Sequence, residues 1–398
     1  MSILVKELFE NKLMKNSIIL SGENGLNRKI QRISVYDCPV RKDVLERKIL
    51  RNGDFLITSL FFQKSSITMI KEFIKILNDS GCSGICVSNQ YIESLPREAL
   101  DYSNKIGFPI ILFDRSIPYA DIIKTTMELI IVKQMDIVNE LRVEKLLKEN
   151  LLSSEIRELA FEINTYFKEY NCALCIEGKE FKEGQLSARA LIDNLNLRQE
   201  YAAFYYKKSI LVILSFNTEN NKVIKSNIKM VIKEIEKYYK NYNIGISEIH
   251  TSINNLNETI TEALFSLKNS KFFRERISYY SEMGVNRILL PIQGHKEMEK
   301  FYNMIISPLK IYDERFNSEI LKTVISFLRN NGNYKKTAEE FYQHQNTIRN
   351  RIKTAKSILN MENNDFEFYT NILLAIKIGI LLNDELIDSY NLQNYEDK

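Results

Sequence analysis

The chain has 398 residues, 44% of them hydrophobic and 27% charged, a globular composition and a length that calls for two or three domains. No apolar run approaches the ~20 residues a membrane span needs, and Met1 to Leu8 carry an early acid and no signal-peptide core, so a soluble, cytoplasmic protein with no membrane partner is expected. Net charge is only +4, from 55 basic and 51 acidic residues, which excludes a general polyanion binder and leaves the distribution of charge to decide.

Residues 1–118 alternate strand-like and helix-like patterns. Ile33 to Val35, Asp54 to Thr58, Gly84 to Val87 and Pro109 to Phe113 are short apolar runs bounded by polar residues or glycine, and Ile67 to Asn78 carries apolar residues three and four apart. This is an α/β pattern. Between Arg28 and Arg51 stand eight basic residues and three acids; a solvated basic surface is the simpler reading, an anionic effector site the alternative. From Tyr119 to about Leu152 neither glycine nor proline occurs, and Ile122, Ile123, Met127, Ile130, Ile131, Met135, Val138, Leu141 and Leu146 keep a helical period. One linker helix over residues 119–154 is expected. Its apolar surface makes it a candidate dimer seam, with packing on its own domains as the alternative.

A second α/β unit is expected over residues 155–290, from apolar runs at Ala173 to Ile176, Ile210 to Phe216 and Ile244 to Ile246 separated by helices at Lys222 to Lys240 and Asn257 to Asn269. Residues 291–316, around Pro291 and Pro308, read as a linker, and residues 317–390 as a helical third domain. The five cysteines, Cys38, Cys82, Cys86, Cys172 and Cys175, are odd in number and sit in apolar stretches, which fits reduced core thiols in place of a disulfide framework. Cys172 and Cys175, three apart on a strand, face opposite ways and cannot chelate one metal. Cys82 and Cys86 lack companion ligands, so neither metal nor cofactor is expected.

Asn317 is expected to cap a support helix whose apolar residues are Ile320, Leu321, Val324, Ile325 and Leu328, ended by Asn330 to Asn333. A short helix from about Tyr334 to Phe341 follows, with Ala338 small enough for close contact with a crossing helix. Tyr342 to His344 make the turn, and another helix starts near Gln345. In it Ile348, Ile352, Ala355 and Leu359 share one stripe. Asn346, Asn350 and Lys353 face the other way, Arg349 and Thr347 flank that outer face, and Arg351 lies nearer the stripe. Arg329 to Lys356 hold seven basic residues and two acids, whereas Met361 to Lys398 hold two and eight.

A short helix, a tight turn and a helix exposing Asn, Arg, Thr and Lys at its N-terminal end suit reading of a DNA major groove. The DNA-facing set is His344, Gln345, Asn346, Thr347, Arg349, Asn350, Arg351 and Lys353, since Asn pairs bidentately with adenine and Arg with guanine. Thr337 adds a hydroxyl contact, or else a cap or an intrahelical bond. Lys335, Lys336 and Lys356 are placed as phosphate contacts. His344 is as readily a helix cap as a DNA contact. The partner implied is a double-stranded DNA operator; the alternative is an all-helical packing domain with a basic face.

The run Thr337-Ala338, Phe341-Tyr342-Gln343-His344 and Asn346-Thr347-Ile348-Arg349-Asn350-Arg351 resembles the C-terminal signature of the PucR/CdaR-type bacterial transcription regulators. Pro308-Leu309, Tyr312-Asp313 and Asn331-Gly332-Asn333 resemble its approach. Gln343 departs from an apolar residue in that pattern and Asn350 from an aromatic one. The resemblance extends over most of the chain. Gly25 to Ile30, Val35 to Pro39, Gly53 to Thr58 and Gly107 to Ile111 are similar to the family's N-terminal sensory domain. Gly245-Ile246-Ser247, Thr261 to Leu264 and Tyr280 to Gly284 are similar to its degenerate GGDEF-like domain. The resemblance implies a multidomain fold: an α/β sensory domain, a long linker helix, an α/β GGDEF-like domain and an all-α helix-turn-helix domain. It further implies a metabolite-responsive regulator of catabolic genes, those for purines among them, with a small-molecule effector and a homodimer or higher homo-oligomer.

Enzyme readings find no support in the residues. No Gly-x-x-x-x-Gly-Lys loop, Gly-x-Ser-x-Gly elbow, His-Glu-x-x-His pair or Gly-Gly-Asp-Glu-Phe run occurs, and there are only three histidines, His250, His295 and His344. The chain is therefore expected not to be an enzyme. The rival to DNA binding is a signalling or nucleotide-sensing adaptor with an inactive cyclase-like domain.

Overall fold

The structure, a computed structural model of the chain, describes residues 2–9, 11–14, 16–38, 49–61, 67–92, 94–148, 150–178 and 186–383. Of the basic cluster near the N-terminus, Arg41, Lys42, Arg47 and Lys48 lie outside the described residues, as do Pro39 and residues 384–390 of the expected third domain. Two compact units are present, one of Met1–Tyr170, Gly178–Asn241 and Thr251–Asn257, the other of Asn171–Glu177, Tyr242–His250 and Glu258–Lys398.

The first unit opens with β1 (Ile3–Leu4), α1 (Val5–Phe9), β2 (Ile18–Ser21), β3 (Lys29–Ile30), β4 (Arg32–Val35), β5 (Asp54–Thr58), α2 (Ile67–Asp79), β6 (Gly84–Ser88), α3 (Arg97–Ile106) and β7 (Ile110–Phe113). A five-stranded sheet has the order β2-β7-β6-β5-β4. Strands β4 to β7 are parallel and β2 runs antiparallel to β7. Alternate residues of the central strands serve two cores. Leu56, Ile85 and Val87 meet Phe73, Ile74 and Leu77 of α2, while Phe55, Ile57 and Cys86 meet Val5 and Leu8 of α1. Burial of both faces is why these strands read as unbroken apolar runs. The buried Asp54 carboxylate ends the sheet's polar margin, taking two bonds from Arg32, at 2.7 and 2.6 Å, and one from the Arg51 amide at 2.8 Å.

The linker helix is shorter than expected. It runs as α4 (Tyr119–Leu146) and gives way to α5 (Ser153–Ile163). No glycine or proline marks the break. Asn150 adopts a left-handed φ of 66°, a conformation Asn tolerates better than most residues, and Glu155 turns back to accept from the Leu152 amide at 2.8 Å. Ile122 and Ile130 of α4 pack into the second of the two cores, and Lys133 pairs with Glu7 at 3.0 Å.

A second five-stranded sheet is built from β8 (Tyr170–Gly178), β9 (Tyr201–Tyr206), β10 (Ser209–Phe216), β11 (Tyr242–Ile246) and β12 (Ile277–Tyr279), in the order β12-β11-β8-β10-β9. Its helices are α6 (Leu186–Leu195), α7 (Asn221–Tyr238) and α8 (Leu256–Phe272). In the first unit β9 and β10 form an antiparallel hairpin with Lys207 at φ 54° in its tip. In the second unit β11 and β12 are parallel. A Cβ on Gly245 would fall 2.0 Å from the Leu267 amide nitrogen and 2.3 Å from the Ala263 carbonyl, so α8 lies directly on β11 at a point where only glycine fits. Four thiols, Cys82, Cys86, Cys172 and Cys175, are buried, and burial pushes that of Cys172 up to about 12. Cys38 is exposed, a correction to its reading as a core thiol, because it lies three residues beyond the end of β4 and outside the sheet.

The second unit ends in helices: α9 (Asn286–Leu289), α10 (Lys296–Phe316), α11 (Ile320–Arg329), α12 (Tyr334–Glu340), α13 (Gln345–Ile358) and α14 (Asp365–Leu381). The segment 291–316, expected as a linker, is mostly α10, which contains Pro308 and buries Tyr302, Ile305, Ile306 and Leu309 in the helical core. Asn317 is not the cap of the next helix. It ends α10 with a left-handed φ of 48°, and the cap comes from Asp313, whose carboxylate accepts from the amides of Ile320 at 2.7 Å and Leu321 at 2.9 Å. The chain is thus multidomain, with an N-terminal α/β region, mixed sheets and a C-terminal helical domain. Among the described residues no helix is long and apolar enough to cross a membrane.

Candidate nucleic-acid interface

Three helices of the second unit build the site. Asn333 begins α12, its side-chain oxygen accepting from the amides of Lys335 at 3.0 Å and Lys336 at 3.1 Å. The helix stops at Phe341 in a Schellman arrangement: the Gln343 amide donates to the Ala338 carbonyl at 2.9 Å and the Tyr342 amide to Glu339 at 3.2 Å. Three residues after Phe341, His344 caps α13, its Nδ1 accepting from the Asn346 amide at 3.2 Å. Ile348, Ile352 and Ala355 are buried beside Ala338, Val324 and Ile372. Burying each isoleucine is worth roughly 1.5–3 kcal/mol, and this anchored stripe forces the opposite side of α13 outward.

That outward side carries Asn346, Arg349, Asn350 and Lys353, all exposed, with Gln345 and Thr347 half-buried at its margins. The Arg349 guanidinium lies over the Tyr334 ring at 5.3 Å, which restricts where its planar donors point. Lys335 and Lys336 are exposed on the first turn of α12. Arg349, Lys353, Lys335 and Lys336 enter no ion pair among the described residues, so their charge is available to a polyanion.

Three residues of the expected contact set are engaged elsewhere. Thr337 is fully buried, its hydroxyl donating to the Asn333 carbonyl at 2.9 Å; the intrahelical bond replaces the DNA contact. Arg351 bonds Glu319 at 3.3 Å and Thr323 at 3.0 Å and lies over the Phe341 ring. Lys356 pairs with Asp365 at 2.6 Å and covers the rings of Phe368 and Tyr369, leaving its side chain 12% exposed. These two cations tie α13 to its neighbours and cannot also reach a phosphate without breaking those contacts.

Sequence reasoning missed the carboxylate that fixes α12 to α11. Glu340 accepts from Asn330 at 2.8 Å, Arg329 at 2.7 Å and the Ser326 hydroxyl. Burial alone would raise this acid, but the Ser326 and Asn330 hydrogen bonds and the Arg329 charge outweigh it and hold it below the ordinary range. The signal available was an acid pair, Glu339-Glu340, inside an otherwise basic segment. Among the described residues no group of three or more His, Cys, Asp or Glu is arranged to hold a metal.

Two regions of the chain match known families. Residues 7–130 match the purine catabolism regulatory protein-like family and residues 320–378 the PucR C-terminal helix-turn-helix domain. The proline-responsive transcriptional activator PutR of Bacillus subtilis is 32% identical over 34% of this chain and 34% of its own length. The purine catabolism regulatory protein of the same organism is 25% identical over 28% of this chain and 20% of its own. Its DNA-binding transcriptional activator AdeR is 26% identical over 36% of each. The matched region thus spans about a third or less of these relatives. The crystal structure of a regulator of polyketide synthase expression from Bifidobacterium adolescentis aligns with 61% of this chain and 98% of that one, at 18% identity and a TM-score of 0.26, too low to carry an argument. The matching families and relatives are transcriptional regulators and not enzymes. The chain thus carries two regions similar to PucR-type regulators, an N-terminal one at residues 7–130 and a helix-turn-helix domain at residues 320–378.

Proposed function

We propose that this chain is a sequence-specific DNA-binding regulator of transcription that works in the cytoplasm and reads a double-stranded operator through α13. The observation that carries the proposal is the exposed row Asn346, Arg349, Asn350 and Lys353 opposite a buried stripe, within a matched helix-turn-helix domain. Asn346, Asn350 and Arg349 take the base edges, His344 orients the helix start, and Lys335, Lys336 and Lys353 take phosphates. Gln345 and Thr347 border the groove. The relatives, one named as proline-responsive and one as a purine catabolism regulator, support a small metabolite as effector and catabolic genes as targets. A homodimer joined along α4 would present two such helices to a two-fold operator. The strand order of the second sheet supports its reading as a degenerate GGDEF-like domain; counted from β8 as first, it is 2-3-1-4-5.

Footprinting the full chain on its own chromosome identifies the operator, and titration of that duplex tests the contacts. Arg349→Ala is expected to cost about 1–3 kcal/mol and to relax preference at one base pair. Lys353→Ala should weaken every sequence alike and lower the slope of affinity against salt by about 1. Wild-type affinity in both variants removes α13 from the groove.

A further inference from the structure

The turn between α12 and α13 contains a residue the contact set leaves out. Tyr342 is 95% exposed, and its side chain enters no hydrogen bond, ion pair or ring contact among the described residues. Its backbone has a φ of +51°. It occupies the position after the helix end in the Schellman arrangement, where the chain must be left-handed and glycine is the residue free of strain. A tyrosine there is disfavoured by its Cβ. The apolar contact that often accompanies this motif is missing too, because the next residue is the exposed Gln343. Neither local conformation nor packing within the chain explains an aromatic side chain here.

Position does. Tyr342 stands two residues before His344, the cap of α13. It therefore projects from the end of the helix that carries Asn346 and Arg349, the end that a major-groove reader brings to the duplex. A phenol is a neutral hydrogen-bond donor of the kind that commonly contacts phosphate oxygens.

We propose that Tyr342 is a DNA-backbone contact, its hydroxyl donating to a phosphate oxygen at the edge of the groove entered by α13, and that it holds the register of α13 on the duplex. The inference rests on the proposed DNA-binding function. It makes the strained turn a feature retained for binding at the expense of stability.

The test uses the full chain and a mixed-sequence DNA duplex at low salt, since a phosphate contact is independent of sequence. Y342G should raise the unfolding temperature of the helical domain by about 2–4 °C by relieving the turn. It should also weaken duplex binding roughly ten-fold, the loss of one hydrogen bond to a charged group. Y342F keeps the ring and the strain, and should lose the same affinity with unchanged stability. Because the phenol is neutral, neither variant should alter the salt slope, unlike a lysine variant. Wild-type affinity in Y342G or Y342F, with wild-type protein binding the duplex, overturns the contact and leaves the proposed function standing. A change in oligomeric state in sedimentation assigns the side chain to a second copy instead and equally overturns it. Absence of binding by the wild type is failure of the DNA-binding reading itself.

Discussion

Two arginines of α13, two positions apart, illustrate how burial separates reading from holding. Arg349 is exposed and lies over the Tyr334 ring without an ion pair among the described residues, whereas Arg351, with a side chain 22% exposed, joins Glu319, Thr323 and Phe341. Removing Arg351 takes one partner from each of three groups that keep another: Glu319 still pairs with Lys322 at 3.5 Å, the Thr323 hydroxyl still donates to the Glu319 carbonyl at 2.6 Å, and Lys322 still lies over the Phe341 ring at 5.5 Å. Arg351→Ala should therefore lower the stability of the helical domain by about 1 kcal/mol, the figure being held down by solvent at Glu319. Arg349→Ala should stay within about 0.5 kcal/mol of wild type. Urea denaturation followed by circular dichroism measures both. Equal losses for the two variants would contradict the division of labour and place Arg349 in the scaffold.

At the level of elements, legibility followed burial. Strands β5, β6 and β7 could be read from sequence because both their faces are covered, so each is a nearly continuous apolar run. Strand β9, Tyr201–Tyr206, was missed: Ala202 and Ala203 give it a weak apolar signal and it has no β-branched residue. The buried stripe of α13 was legible from spacing alone, and its exposed row with it. What could not be read was pairing at a distance, such as Lys356 with Asp365 and Arg351 with Glu319, because a charge pattern does not say which cations are already spent. Helix α4 belongs between these cases. Its period was legible, its end was not, and it leaves Met127, Ile131, Met135 and Leu141 between 38% and 59% exposed. Met127, Ile131, Val138 and Leu141 recur at the spacing of a coiled-coil seam, with Gln134 between them. If this is the proposed dimer seam, Ile131→Glu combined with Leu141→Glu should convert a dimer to a monomer in sedimentation equilibrium without lowering the helix content. A dimer that survives both charges places the seam elsewhere.

Across the molecule, two titrating groups in the second unit set opposite limits on pH. His250 sits at 3.1 Å from Glu262 and 4.0 Å from Glu258, its backbone bridged to Asn171. Glu248, paired with Arg287, is the third carboxylate acting on it. The hydrogen bond to Glu262 raises the imidazole above its ordinary value of 6.5, against desolvation and with help from the charges of Glu262, Glu258 and Glu248. A value raised by folding means stability that is full below 6.5 and is lost as pH rises through the folded value. Glu340 has the reverse sign. Held below its ordinary 4.5, it contributes fully above 4.5 and loses its contribution as pH falls through the lowered value. The unit should be most resistant to urea between those limits. Relative to wild type, His250→Gln should be less stable at pH 5.5, with the difference fading toward pH 9. Glu340→Gln should be less stable at pH 7, with the difference fading toward pH 3. A His250→Gln deficit that grows with rising pH would mean that the imidazole is neutral when folded and that Glu262 holds it as an acceptor of its ring N–H, not as an ion-pair partner.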